Sequence, residues 1–254
     1  MAVLDGDSPD MTAQDEAQLD PNIRPGVWLA PERANARLAR AEPREWLFPD
    51  TEDVFRSIYT RAGIGFTQEV VGICSAIPGE GRTTTSLGLA VTLAQDFPDA
   101  RVLLVETDMQ RPTLAQDFAV DPTPGLIECV VMGNPLQDAC RPTFLHNLHL
   151  VPVGKAIPGS GRVLRSIRVA SAIEAMRQSY DMVILDLPPL LVNSDAVLLT
   201  DLSDGVVCVV RSGVTPVSLV NKAIELLDRD KLRGVVLNGS ASSIPGWMRR
   251  LCGV

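Results

Sequence analysis

The sequence predicts an α/β fold, a mostly parallel sheet with helices on both faces, and three observations lead there. Short, nearly continuous apolar runs recur along the chain at Val70–Ser75, Val102–Glu106, Leu148–Pro152, Met182–Asp186, Gly205–Arg211 and Gly234–Leu237. Helical stretches lie between them, at Thr83–Gln95, Leu164–Ser179 and Pro216–Leu227. Charged residues gather at the ends of the apolar runs, where open α/β sheets place their ligands. Strands that are apolar throughout, rather than on alternate residues, belong to a sheet covered on both sides.

The elements follow in chain order. Residues 1–50 are rich in Asp, Pro, Ala and Arg without a sustained apolar period. They read as a largely disordered arm with at most a short helix at Arg33–Ala41. Thr51–Gly63 is the first expected helix, capped by Asp50 or Thr51, with Val54, Phe55 and Ile58 on one face. The domain proper then runs over 51–240, and 241–254 forms a short tail.

The strand at Val70–Ser75 opens into Ala76-Ile77-Pro78-Gly79-Glu80-Gly81-Arg82-Thr83-Thr84 and then Leu87-Gly88-Leu89-Ala90. From Ala76 this fits a phosphate-binding loop: a small residue, four free positions, Gly, a cation and a hydroxyl, with Arg82 in place of the usual Lys. Glycines let backbone N–H groups curl around phosphate oxygens, the following helix N-terminus adds partial positive charge, and the Thr83 hydroxyl reaches Mg²⁺. Pro78, Gly79, Glu80, Gly81, Arg82, Thr83 and Thr84 are therefore the expected nucleotide contacts. The fold class sharpens to a three-layer P-loop NTPase sandwich of the MinD/ParA kind.

A second motif, Val102 to Pro112, ends a strand in Glu106-Thr107-Asp108-Met109-Gln110-Arg111. Side chains two apart in a strand point the same way. If this strand neighbours the loop strand, Glu106 and Asp108 both face the γ-phosphate, one as proton acceptor and one in the metal shell. A third motif, Met182-Val183-Ile184-Leu185-Asp186 followed by Leu187-Pro188-Pro189, is an apolar strand ending in an acid that organises Mg²⁺.

Together the three motifs resemble the bacterial tyrosine kinases of capsule and exopolysaccharide synthesis. That family carries Pro-Gly-Glu-Gly-Lys-Ser/Thr, a strand ending Asp-x-Asp-x-Arg-Arg-Pro, and a strand ending Ile-Ile-Asp-x-Pro-Pro. Here these stand as Pro78–Thr83, Glu106–Pro112 and Ile184–Pro189, so Arg82, Glu106 and Gln110 are departures from the pattern. The resemblance spans roughly Asp53 to Asn238. It implies ATP and Mg²⁺ as cofactors, with Thr83, Asp108 and Asp186 around the metal and Glu106, Asp108, Arg82 and Asp186 as catalytic groups. Asn238, in Val235-Val236-Leu237-Asn238, corresponds to the residue that approaches the base. The family's partner is a transmembrane polysaccharide co-polymerase or chain-length protein, which implies recruitment to the inner face of the membrane. Its self-association helix corresponds to Asp53–Tyr59, where the middle Arg survives as Arg56. The tyrosine-rich tail is absent, since the chain holds two tyrosines, Tyr59 and Tyr180. A catalytically weak regulatory partner and a MinD/ParA-like ATPase switch are the rival expectations. Against the second, the apolar pair Ile77-Pro78 stands where those ATPases carry Lys-Gly.

Composition excludes other classes. The net charge of -8 argues against non-specific nucleic-acid binding. No apolar run approaches the ~18 residues of a membrane span, and the acidic start does not read as a secretory signal. The five scattered cysteines suit free thiols in a reducing cytoplasm. His146 and His149 read as ordinary surface and strand residues, and Gly159–Arg162 as a helix entry.

Overall fold

A computed structural model describes residues 27–30, 49–155 and 167–239. Its centre is an eight-stranded sheet in the order β1-β8-β7-β2-β6-β3-β5-β4. The strands are β1 (Val27–Ala30), β2 (Glu69–Ser75), β3 (Val102–Glu106), β4 (Arg141–Pro142), β5 (Leu148–Val151), β6 (Met182–Asp186), β7 (Gly205–Arg211) and β8 (Leu232–Asn238). All neighbours pair in parallel except β4, which runs antiparallel to β5 at the edge.

The longer helices are α1 (Pro49–Arg61), α2 (Arg82–Asp96), α5 (Ile167–Ser179), α6 (Asp195–Asp201) and α7 (Val217–Ile224). Single turns at Leu114–Asp117 (α3) and Leu136–Ala139 (α4) and a π turn at Glu128–Met132 complete the described helical structure.

Period-two alternation in the strands divides the core into two layers. Val70 and Cys74 of β2, with Val183 and Leu185 of β6, pack with Val169, Ile173 and Met176 of α5 and with Val220, Ala223 and Ile224 of α7. Val71 and Ile73, with Met182 and Ile184, face the other way onto Phe55 and Ile58 of α1 and Leu87, Leu89 and Leu93 of α2. That two-sided burial is why the strands lack polar alternation. The mostly parallel, three-layer expectation holds.

Three strands have the bounds read from the sequence: β3, β6 and β7. One expectation is corrected. Residues 27–30, placed in a disordered arm, form β1 and pair with β8, Trp28 opposite Val236 and Ala30 opposite Asn238. Four residues carry too little local pattern to announce a strand, and the order comes from a partner some 200 positions on. The short helix expected at Arg33–Ala41, the Gly159–Arg162 entry and the 241–254 tail lie outside the described residues.

Candidate functional site

The site forms where β2, β6 and β3 end side by side. The β2 strand is flanked by β6 and β7, so the loop strand sits mid-sheet and β3 is one strand removed. After Ser75 the chain turns through Gly79 and Gly81, at φ +85 and +95, and α2 begins at Arg82. Positive φ at both positions is what selects glycine there. The loop's shoulders are tied down from the far side of β6, with Leu190 N–H donating to the Ser75 carbonyl at 2.9 Å and Leu191 N–H to Ala76 at 3.1 Å.

Thr83 and Asp186, 103 residues apart, meet at the mouth of the loop. The Thr83 hydroxyl donates to Asp186 Oδ2 at 2.7 Å, and the Ser86 hydroxyl lies 3.1 Å from Oδ1. The strand bearing Asp186 is further held by the Thr107 hydroxyl, which donates to its carbonyl at 2.7 Å. Burial pushes the Asp186 carboxyl up to about 6; the Arg82 charge and the two hydroxyls pull it down, and Asp108 adds to the rise. Thr83 Oγ1 and a carboxylate are hard oxygen donors, the kind Mg²⁺ takes alongside phosphate and water. Among the described residues no cluster of three or more His, Cys, Asp or Glu is arranged to hold a metal ion. Thr83 and Asp186 are the hard oxygen donors that the loop mouth brings together.

Arg82 does not reach into the loop. Its guanidinium is buried, with Nη2 3.0 Å from Asp108 Oδ2 and Nη1 donating to the Leu187 carbonyl. Asp108 Oδ1 accepts from the N–H groups of Gln110 and Arg111, at 3.1 and 3.3 Å. Both Asp108 oxygens therefore have partners within the chain, while the Arg111 side chain stands exposed.

The expectation that Glu106 faces the γ-phosphate beside Asp108 is corrected. Its Oε1 accepts from the N–H groups of Thr113 and Leu114, capping the start of α3, and Oε2 lies 3.4 Å from Val153 N. Burial raises its pKa, and those backbone donors oppose the rise. Two facts defeat the two-apart argument. The strand stops at Glu106, so alternation does not carry on to Asp108, and β3 borders β6 rather than β2.

Pro78 and Gly79 stand at the open side of the loop, and Thr84 is partly buried in the first turn of α2. Glu80 was expected at the nucleotide. Its side chain is buried at 1% exposure and turned inward. Oε2 accepts Ile77 N–H at 2.7 Å, and Oε1 accepts the Thr215 hydroxyl at 2.6 Å and Arg211 N–H at 3.3 Å. Asn238, expected at the base, donates its amide Nδ2 to the Glu80 carbonyl at 2.9 Å. Thr215 escaped the sequence reading, because no motif marks a lone hydroxyl after β7.

On the expected association helix, Arg56 is turned onto its own chain. Nε and Nη2 sit 2.8 Å from the two Asp96 oxygens at the end of α2, and the Tyr59 hydroxyl donates to the same carboxylate at 2.9 Å. Tyr180 is buried with its hydroxyl 3.5 Å from Cys140 Sγ. His149 packs edge-on against the Tyr180 ring, and His146 is exposed.

The central phosphate loop, the Thr83–Asp186 pair and the parallel sheet define a P-loop nucleotide-site protein, and residues 68–229 match the AAA domain family. The sequence is 32% identical over 211 residues to the tyrosine-protein kinase YwqD of Bacillus subtilis, covering 81% of this chain and 86% of that one. It is 30% identical over 198 residues to the tyrosine-protein kinase CpsD of Streptococcus agalactiae, covering 76% and 84%. Among solved structures, the chimerical protein CapA2B2 superposes with a TM-score of 0.72 at 27% identity, covering 85% of this chain and 94% of that one. The kinase domain of Escherichia coli ETK, at 22% identity and 91% and 94% coverage, shares the fold with a TM-score of 0.75. The chain belongs to the bacterial tyrosine-protein kinase family.

Proposed function

We propose that the chain binds ATP with Mg²⁺ and serves as a tyrosine kinase-like component of exopolysaccharide or capsule synthesis. It would work at the inner face of the membrane with a membrane-embedded chain-length or export partner. The observation that carries this is the Thr83–Asp186 contact at the mouth of the loop. Family membership supports the pathway, since one relative at 32% identity over 179 residues is the succinoglycan biosynthesis transport protein ExoP of Rhizobium meliloti, of which the chain spans 22%. Among the described residues no helix is long and apolar enough to cross a membrane.

When bound, Mg²⁺ neutralises charge on the phosphates. The protein's own share is positional. Thr83 and Asp186 hold the metal's place, the loop glycines and the α2 N-terminus receive the phosphates, and the Asp108–Arg82 pair fixes the neighbouring turn. Calorimetric titration with ATP, with and without Mg²⁺, tests the reading. Magnesium-dependent binding in the native chain, lost in Asp186→Ala, is the expected result. Equal binding in both proteins would overturn the assignment.

One observation favours a second reading, a nucleotide-binding regulatory subunit with little phosphotransfer. Arg82 is engaged by Asp108 and Leu187 rather than standing over the loop. Losing a positioned phosphate cation removes a few kcal/mol of transition-state stabilisation, roughly two to three decades of rate. Phosphotyrosine formed on a Glu-Tyr copolymer decides between them. A kinase-like rate in the native chain refutes the second reading, and a gain of a decade or more in Arg82→Lys supports it.

A further inference from the structure

We infer that Glu80 is a positioning residue that sets the phosphate loop through the ends of β7 and β8, an inference that rests on the nucleotide-binding reading above. Glu80 lies between the two glycines at positive φ, the most deformable stretch of the loop. Nothing in such a stretch holds its own shape. The side chain there is nevertheless a carboxylate at 1% exposure. Its three donors, Ile77 N–H, Thr215 Oγ1–H and Arg211 N–H, are all uncharged. A buried carboxylate held only by neutral donors is costly to place, so its partners have to be well aimed.

The partners lie in two places. Ile77 belongs to the loop itself, so its bond to Oε2 closes the front half of the loop into a ring and turns that N–H away from the phosphate side. Arg211 ends β7 and Thr215 lies in the turn that follows, while Asn238 at the end of β8 holds the Glu80 carbonyl. That turn is itself closed by Thr215 N–H on the Arg211 carbonyl at 3.0 Å and by Ser212 N–H on the Asn238 carbonyl at 2.9 Å. The loop therefore cannot shift without carrying the β7–β8 corner with it. Conversely, any displacement of the corner reaches the phosphate N–H groups through one carboxylate. With both carboxylate oxygens bonded within the chain, Glu80 acts through the backbone it aims.

The test uses two variants at opposite ends of the link, Glu80→Gln and Thr215→Val, titrated with Mg·ATP and with Mg·tripolyphosphate. Gln offers one acceptor oxygen where the carboxylate offers two. Val removes the hydroxyl from a site remote from the phosphate N–H groups. Each loss should weaken ATP about tenfold, in line with one lost hydrogen bond to a charged group. Tripolyphosphate should weaken by the same factor, since the effect lies on the phosphate side. Native-like affinity in both variants, with only a lowered melting temperature, overturns the inference and leaves Glu80 as packing. A loss confined to ATP also overturns it, because the link would then serve the base. A native chain that binds no nucleotide overturns the underlying reading instead, so the two failures are distinguishable.

Discussion

At the residue scale, Asp186 is held in tension between fold and function. Burial lifts its pKa from an ordinary 3.8 to about 6. In the unfolded chain it ionises near the ordinary value, whereas the folded chain keeps its proton until about 6. Its stabilising contribution is therefore complete below about pH 4 and is lost as pH rises through 6. The gap corresponds to about 3 kcal/mol at ~1.36 kcal/mol per unit. Asp186→Asn, which keeps an acceptor for the Thr83 hydroxyl, should accordingly be more stable than the native chain at pH 8. Chemical denaturation at both pH values checks this, and the advantage should vanish by pH 4. The Arg82–Asp108 pair behaves differently. Buried ion pairs add little net stability, yet each partner leaves the other stranded if removed.

At the element scale, α1 and α2 are fitted to one another. A methyl group on Gly88 would come within 2.1 Å of the Phe55 ring tip, so the bare backbone of α2 is the slot into which α1 lays its aromatic. Gly88→Ala should destabilise by ~1–3 kcal/mol through overpacking, despite the better helix propensity of alanine. Adding Phe55→Ala should make the pair less than additive in thermal melts, because the clash goes with the ring. The polar side of the same contact is Arg56 and Tyr59 on Asp96. Helices α1 and α2 were legible because Phe55, Ile58 and the Leu87–Leu93 run are local apolar patterns. Glu80, Glu106 and Arg82 were not, because their directions are set by Thr215, Thr113 and Asp108, partners that no local period encodes. Thr83 and Asp186, both marked by motifs, meet at 2.7 Å because motif order carries long-range geometry that spacing alone does not.

At the scale of the whole molecule, the sheet order decides which pieces can stand alone. The loop strand β2 pairs with β6 from Glu69 opposite Met182, and with β7 from Val71 opposite Gly205. A chain stopped at residue 180 has neither neighbour and should be digested by limited proteolysis as an unfolded chain. A protein reaching residue 239 should resist; equal resistance of both would refute this dependence on late strands. The arrangement has a consequence during synthesis. At ~5–20 residues per second, β2 leaves the ribosome and waits about 5–20 s for its first neighbour. Through that interval β2 has no strand neighbour, and Val70 and Cys74 lack the α5 and α7 side chains that cover their face in the finished fold. The strand that places the phosphate loop is thus made early and paired late, and in the growing chain it is a segment for a chaperone to hold.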